Sequence, residues 1–282
     1  MKRARNFYLQ LGFTLLVCAF MIVPVILSVL AGVTENFFVG VRSGLTLRWV
    51  GEVWGLYAET IYLSLIIALA CLAVVLVIGV PAAYVLARQG GMLARVIEET
   101  IVLPLAVPGL AIALALIITY GGFREFRSSW LFILVGHVLY TLPFMVRSVL
   151  AVLSSINFSE LEESAASLGA SFRQRFFGIV LPNCRSGILA GSLMVVTLSV
   201  GEFNLTWMLH TPVTKTLPVG LADSYASMRL EVASAYTLVF FVMIVPLLVA
   251  MQIMANADAP RKKRAAQADD EAPALAPAEG RP

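Results

Sequence analysis

Six long apolar stretches, at about residues 7–30, 61–85, 97–120, 130–153, 187–207 and 233–254, decide what this chain can become. A helix needs about 20 consecutive apolar residues to cross the roughly 30 Å hydrocarbon core of a bilayer. In that medium every backbone N–H and C=O must be bonded inside the protein, which a helix achieves within one segment. The composition agrees: 60% of residues are hydrophobic and 13% are charged, against about 25% charged in a soluble domain. The expected fold class is all-α and integral to a membrane, with six transmembrane helices.

Lys2, Arg3 and Arg5 precede the first stretch, and Val29-Leu30-Ala31 faintly resembles a signal cleavage site. The apolar run exceeds the roughly 7–15 residues of a signal core, so it reads as a retained first helix. Lysine and arginine gather on the cytoplasmic side of membrane proteins. With the amino terminus there, that side receives Lys2, Arg3, Arg5, Arg88, Arg95, Arg147, Arg173, Arg175, Arg185, Arg261, Lys262, Lys263, Arg264 and Arg281, which is 14 of the 20 basic residues. The opposite side receives Arg42, Arg48, Arg124, Arg127, Lys215 and Arg229. Both termini are therefore expected in the cytoplasm. The chain divides into a first helix (1–33), a periplasmic loop (34–54), a core of five spans (55–254) and a tail (255–282). The tail is rich in Ala, Pro and acids, cannot bury a core, and reads as disordered. Its run Arg261-Lys262-Lys263-Arg264 reads as a stop-transfer cluster, with contact to anionic lipid headgroups as the other reading.

Cys18, Cys71 and Cys184 form no Cys-x-x-Cys or Cys/His pair, so no metal site is expected and packing is their role. Polar residues inside spans are functional candidates. The third span carries Pro104, Pro108 and Gly109. A proline removes a backbone donor and crowds the preceding turn, so this stretch is either a hinge on a translocation path or a structural kink. The fourth span carries His137, Tyr140, Thr141 and Pro143, and His137 reads as a solute contact or an interhelical hydrogen bond. Glu202 and Asn204, beside Trp207, give the fifth span a polar far end that reads as path, gate or headgroup contact. Glu98 and Glu99 are expected to open the third span, where a helix N-terminus favours acids. Arg147 is expected to snorkel, His210 to be exposed, and Trp49, Trp54, Trp130 and Trp207 to mark interfaces.

The longest inside loop, about 154–186, carries the most specific signal. Ser159 with Glu162 three residues on reads as a capping box that starts a helix. Glu160, Glu162 and Glu163 suit its first turn. Gly169 supplies a left-handed C-terminal cap, Ser171 starts a second short helix, and Pro182 opens the fifth span. Ser164, Ala165 and Ala166 form a small face that admits another protein's backbone, with Glu163 as an electrostatic handle. A rigid helix pair between two spans is a lever.

Glu163-Ser164-Ala165, then Gly169, then Ile179, Leu181 and Pro182, resembles the cytoplasmic "EAA" loop of permeases from binding-protein-dependent ABC importers. That pattern is Glu-Ala-Ala, three residues, Gly, nine residues, Ile, one residue, Leu-Pro; Ser164 for the first Ala is the one departure. The resemblance covers about residues 55–254. It implies the importer-permease (MetI-like) fold, a pair of permease subunits, and a coupling helix that docks in a cleft of the ATPase. Within the family the chain looks most like spermidine/putrescine permease subunits, on Leu45-Thr46-Leu47-Arg48-Trp49, Leu103-Pro104, Val107-Pro108-Gly109 and Thr216-Leu217-Pro218. Aminoethylphosphonate, ferric-iron, thiamine and sulfate permeases share several of these features, and Gly201-Glu202-Phe203 fits those relatives.

The chain has no Gly-x-x-x-x-Gly-Lys-Ser/Thr phosphate loop, so its energy must come from a partner or an ion gradient. The implied partners are an ATPase dimer holding ATP and Mg, a second permease subunit (a homologous heterodimer partner), a solute-binding protein and membrane lipid, with no nucleic acid and no cofactor in this chain. The implied location is a bacterial inner membrane. A secondary transporter is the alternative; such proteins often show inverted repeats and midplane coupling acids, which are not evident here. A membrane enzyme would need convergent catalytic groups, and two separated histidines with scattered acids do not supply them. The outer acids Glu35, Glu52, Glu59, Glu125, Glu202, Asp223 and Glu231 roughly balance the outer bases, so charge does not choose a cationic solute over an anionic one.

Overall fold

The computed structural model describes residues 2–257, with side chains from 6 to 254. The proline-rich tail and its basic run lie outside the described residues. The helices are α1 (Lys2–Ala31), α2 (Arg48–Gln89), α3 (Gly91–Ala106), α4 (Gly109–Tyr120), α5 (Arg124–Ser128), α6 (Trp130–Ser154), α7 (Phe158–Ser167), α8 (Phe172–Arg175), α9 (Leu181–Gly201), α10 (Asn204–Leu209), α11 (Leu217–Ala226) and α12 (Leu230–Ala257). A π-helical turn, Phe176–Val180, joins α8 to α9.

Five helical stretches are each long and apolar enough to cross a membrane, and the bent pair α3–α4 passes the same test when taken together. Three boundaries differ from the sequence expectation for physical reasons. α2 has 42 residues, about 63 Å at 1.5 Å per residue, so it overruns a bilayer; its backbone leaves helical geometry at Tyr57 (φ −131°, ψ 16°). α3 and α4 meet at 103°. Pro104 is absorbed within α3, whereas Val107, directly before Pro108, is extended (φ −95°, ψ 129°), the conformation that a following proline favours. The fifth span ends at Gly201, and its polar far end is the separate helix α10. Because α3 starts at Gly91, Glu98 and Glu99 lie mid-helix and have no N-terminal dipole role.

α6 is the central post, packed against α2 and α9. Its buried residues Met145, Val146 and Val149 meet Cys71 and Val75 of α2 and Val195 of α9. Close approach here needs glycine: a Cβ on Gly187 would lie 2.5 Å from the Ser148 carbonyl oxygen, and one on Gly191 would lie 2.7 Å from Met145 Sδ. Small residues at such crossings let membrane helices pack by van der Waals contact, since lipid supplies no hydrophobic drive between them. α1 is different. Its apolar window is 0% buried, against 50% for α6, and it joins the bundle through Gly32, where a Cβ would lie 2.6 Å from Ala235 N.

The bundle has two ends. At the loop end, the end of α2 meets α7 and α8. At the far end, the starts of α2 and α12 meet: Glu52 pairs with Arg229, whose Nη1 also donates to Tyr57 Oη at 2.7 Å.

Candidate functional site: a capped helix pair and two adjoining helix breaks

At the loop end, α7 ends in a Schellman turn. Gly169 has φ +83°, and the bonds Ala170 N to Ala165 O (3.0 Å) and Gly169 N to Ala166 O (2.9 Å) close it. That pairing satisfies carbonyls the helix would otherwise leave open. Ser171 and Gln174 then form a capping box that starts α8, and Pro182 sits in the first turn of α9. The expected capping box at Ser159 and Glu162 is not formed. Ser159 lies inside α7, Asn157 precedes the helix without a side-chain cap bond, and Glu162 is turned inward by Tyr84, Arg88 and Arg175.

Glu163, Ser164 and Ala166 are exposed and Ala165 is half-buried. Leu168, at the turn, is 90% exposed. Pro182 is exposed, while Ile179 and Leu181 are half-buried around the buried Val180. The motif thus divides into an outward contact face and an inward root.

Away from the loop end, the break before Pro108 and the break after Gly201 come together. α4 packs on α10, and a Cβ on Gly109 would lie 3.6 Å from both Glu202 Oε1 and Leu205 N. The Glu202 carboxylate accepts from Leu205 N (3.0 Å), Thr206 N (2.9 Å) and Thr206 Oγ1 (3.0 Å). It therefore caps the start of α10, where free N–H groups and the helix dipole favour an anion. Arg127 caps the other end, donating to Leu209 O at 2.7 Å, where a cation is favoured.

His137 is 1% exposed. Its Nδ1 lies 2.8 Å from Ser199 Oγ and its Nε2 lies 2.8 Å from Thr206 Oγ1. It bridges α6 to both sides of the α9–α10 break, with Thr141 Oγ1 donating to the His137 carbonyl at 2.8 Å. Of the residues expected along a path, Pro108, Glu202 and His137 belong to this one assembly, and exposed Asn204 adjoins it. Pro104 stays half-buried in α3, and half-buried Tyr140 pairs its ring with Phe144. His210 is half-buried and bonded through Nδ1 to the Trp207 carbonyl.

Sequence reasoning missed Glu162 as a buried group and Arg127 as a cap. Tyr84 lies 78 residues from Glu162 and Leu209 lies 82 from Arg127, and even Arg175, in the same loop as Glu162, is beyond the spacing of any helical motif. At the far end a cavity of about 400 Å³ is lined by Tyr57, Thr60, Lys215, Asp223, Arg229 and Tyr236. Its charged side chains are already paired, Lys215 with Asp223 and Arg229 with Glu52.

An all-helical membrane bundle with broken spans and an exposed, doubly capped helix pair has the form of a transport permease driven through a partner. Residues 76–264 match the family described as "Binding-protein-dependent transport system inner membrane component", and the chain belongs to that family. It is 28% identical over 269 residues to the putrescine transport system permease protein PotI of Escherichia coli K12, covering 90% of this chain and 91% of that one. It is 28% identical to the sulfate permease protein CysW of Synechocystis sp. (70% and 76% covered). It is 25% identical to the putative 2-aminoethylphosphonate permease protein PhnV of Salmonella typhimurium LT2 (74% and 79% covered). Among solved structures, the MetNI methionine ABC transporter in inward-facing conformations matches with a TM-score of 0.58 at 17% identity, covering 73% of this chain and 95% of that one. The fold is the importer-permease (MetI-like) fold. The chain is a permease subunit of an ABC importer, a membrane protein and not itself an enzyme, and it works with ATPase and solute-binding partners.

Proposed function

We propose that this subunit, paired with a second and homologous permease, forms the path for a small polar or charged solute, polyamine-like first and phosphonate-like next. In this reading ATP and Mg sit on the partner ATPase dimer, and the loop end faces the cytoplasm of a bacterial cell with both termini. α7 docks in the ATPase, and the paired breaks at Pro108 and Glu202 form the gate. One observation carries the coupling role: an exposed helix with a small-residue face and a bare Leu168, closed by a glycine at φ +83° and rooted in α9. Such a helix has contact surface without internal partners, which suits a docking element.

The polyamine preference rests on the length of the likeness. The putrescine permease aligns over 90% of the chain, the sulfate and phosphonate permeases over 70% and 74%. A binding screen on the cognate solute-binding protein with putrescine, 2-aminoethylphosphonate and sulfate tests it; capture of sulfate alone would reject the polyamine reading. In proteoliposomes, uptake should require ATP and resist a protonophore, and the reverse would favour the secondary-transporter alternative.

Orientation is tested by cysteine labelling of intact cells. Val213 is 81% exposed and serves as the outside probe. A cysteine at 213 should label from outside and one at 171 should not; outside labelling at 171 would invert the topology.

A further inference from the structure

Glu162 stands one residue before the exposed motif and points the other way. Its side chain is 3% exposed. Tyr84 Oη donates to Oε1 at 2.7 Å, Arg175 Nη1 lies 3.1 Å from the same oxygen, and Arg88 Nε lies 3.5 Å from Oε2. Arg88 Nη1 also donates to Tyr84 Oη at 3.4 Å. Three elements meet on one carboxylate: the end of α2, α7 and α8.

The surroundings make this contact stiff. Tyr84 is buried, with its ring edge-on to Phe158 at 5.7 Å and to Phe176 at 5.4 Å between centroids. Aromatic rings shield the carboxylate and Arg175, whose side chain is 16% exposed, while Arg88 is 50% exposed; charges act more strongly where water is excluded, so the Arg175 pair is the stronger of the two. A buried carboxylate also needs all its partners, because removing one leaves a desolvated charge. Within α7 only Phe158 and Glu162 are buried. A force applied to the outer face of α7 therefore reaches the bundle through these two side chains and the chain ends.

Those chain ends run to α6 and, through α8 and the π-helical turn, to α9. π turns inside helices are frequent at functional sites. α2 has no covalent link to the loop; its Tyr84 is 78 residues from Glu162. Beyond the packing of α2 on α6 and α9, the direct tie between α2 and α7 is made by side chains.

We infer that Glu162 is a positioning residue of the coupling helix: it locks α7 to α2 through Tyr84 and Arg88 and to α8 through Arg175, so that α2 and α9 move as one body with α7. The inference rests on the coupling role proposed above, and its test reads the lock itself. Nitroxide labels at Ser159 and Gln89, both exposed, report the distance between α7 and α2. The assembled importer, with this subunit's three cysteines and any in its partner subunits replaced by alanine, is measured by double electron–electron resonance without nucleotide and trapped with ATP and vanadate.

The expected result is one narrow distance that nucleotide does not change. Glu162→Gln keeps an acceptor for Tyr84 and removes the charge that holds Arg88 and Arg175. In that variant the ATPase should still co-purify, while the distribution broadens and shifts on trapping. An E162Q distribution equal to the parent in both states would overturn the inference, as would a parent distance that itself shifts with nucleotide. Should E162Q fail to accumulate in the membrane, Tyr84→Phe and Arg88→Met are read the same way; parent-like distributions in both would overturn it. Failure of the lock is separable from failure of the coupling role. A Gly169→Val importer that transports normally rejects the role, and the distance between labels judges only the lock.

Discussion

Glu162, in the middle of α7, and Glu202, at the break after α9, are both inward-turned acids, and they are held by opposite chemistry. Glu162 is gripped by side chains from elsewhere, two arginines and a tyrosine on α2 and α8. Glu202 is gripped by its own neighbourhood, two backbone N–H groups and a hydroxyl within four residues. The first arrangement joins separate elements and leaves the local helix free to move with them. The second fixes a local change of direction and transmits nothing by itself; His137, which reaches Thr206 and Ser199 from α6, supplies the connection. On the proposed coupling role, the loop end is a lever, and the adjoining breaks form a braced corner.

The largest expected effect lies on the lever. Gly169 has φ +83° with open space around it, so the obstacle to a side chain there is backbone conformation and not crowding. A left-handed backbone costs an ordinary L-residue about 1–2 kcal/mol, and β-branched residues more. Gly169→Val should leave the subunit in the membrane and lower uptake at least about tenfold, the factor that roughly 1.4 kcal/mol represents. Gly169→Asn should keep most activity, since asparagine tolerates this conformation at helix ends. Equal uptake by parent and Gly169→Val would show that the turn is not part of the lever.

The corner should respond next. Glu202→Ala removes the acceptor for two N–H groups at the start of α10, a loss of about 1–3 kcal/mol for partly buried donors left unmet. The purified subunit should melt at lower temperature, and uptake should fall severalfold while the ATPase still co-purifies. A variant that loses the ATPase instead would break the division into lever and corner. Ser199→Ala removes one of the two imidazole contacts of His137, about 1 kcal/mol. It should shift the melting temperature less than Glu202→Ala, and an equal or larger shift would make His137 the principal brace.

What was legible in the sequence follows the same division. Local devices were readable: Gly169 as a left-handed cap, Ser171 as a helix start, Pro182 at the head of α9, and the apolar stretches as spans. Each is a rule of a few neighbouring residues. The Ser159–Glu162 spacing was also a valid local rule and failed, because Arg88, Arg175 and Tyr84 draw Glu162 to the interior more strongly than a free backbone N–H draws it outward. Arg127 on the carbonyl of Leu209, and His137 between α9 and α10, depend on partners tens of residues distant. The prolines of the third span looked alike in sequence and differ in structure: Pro104 is carried inside α3 and the chain turns only at Pro108.

That difference sets the smallest expected effect. Pro108→Ala returns a backbone donor and relieves the restriction on Val107, which alone would let α3 run on into α4. The 103° turn has other holds, however. A Cβ on Gly109 would lie at van der Waals distance from Leu205 and Glu202, α4 is packed on α10, and Ala113 and Leu116 of α4 are buried with Leu205 and Leu209. Straightening would break the van der Waals contacts of that cluster, the kind of packing that holds membrane helices together, and return only a single hydrogen bond of about 1 kcal/mol. The corner should therefore persist in Pro108→Ala, with uptake within about threefold of the parent, well under 1 kcal/mol on the scale where 1.4 kcal/mol is tenfold. A tenfold loss with the ATPase still bound would mean that the proline itself, and not the packing around Gly109, holds the turn.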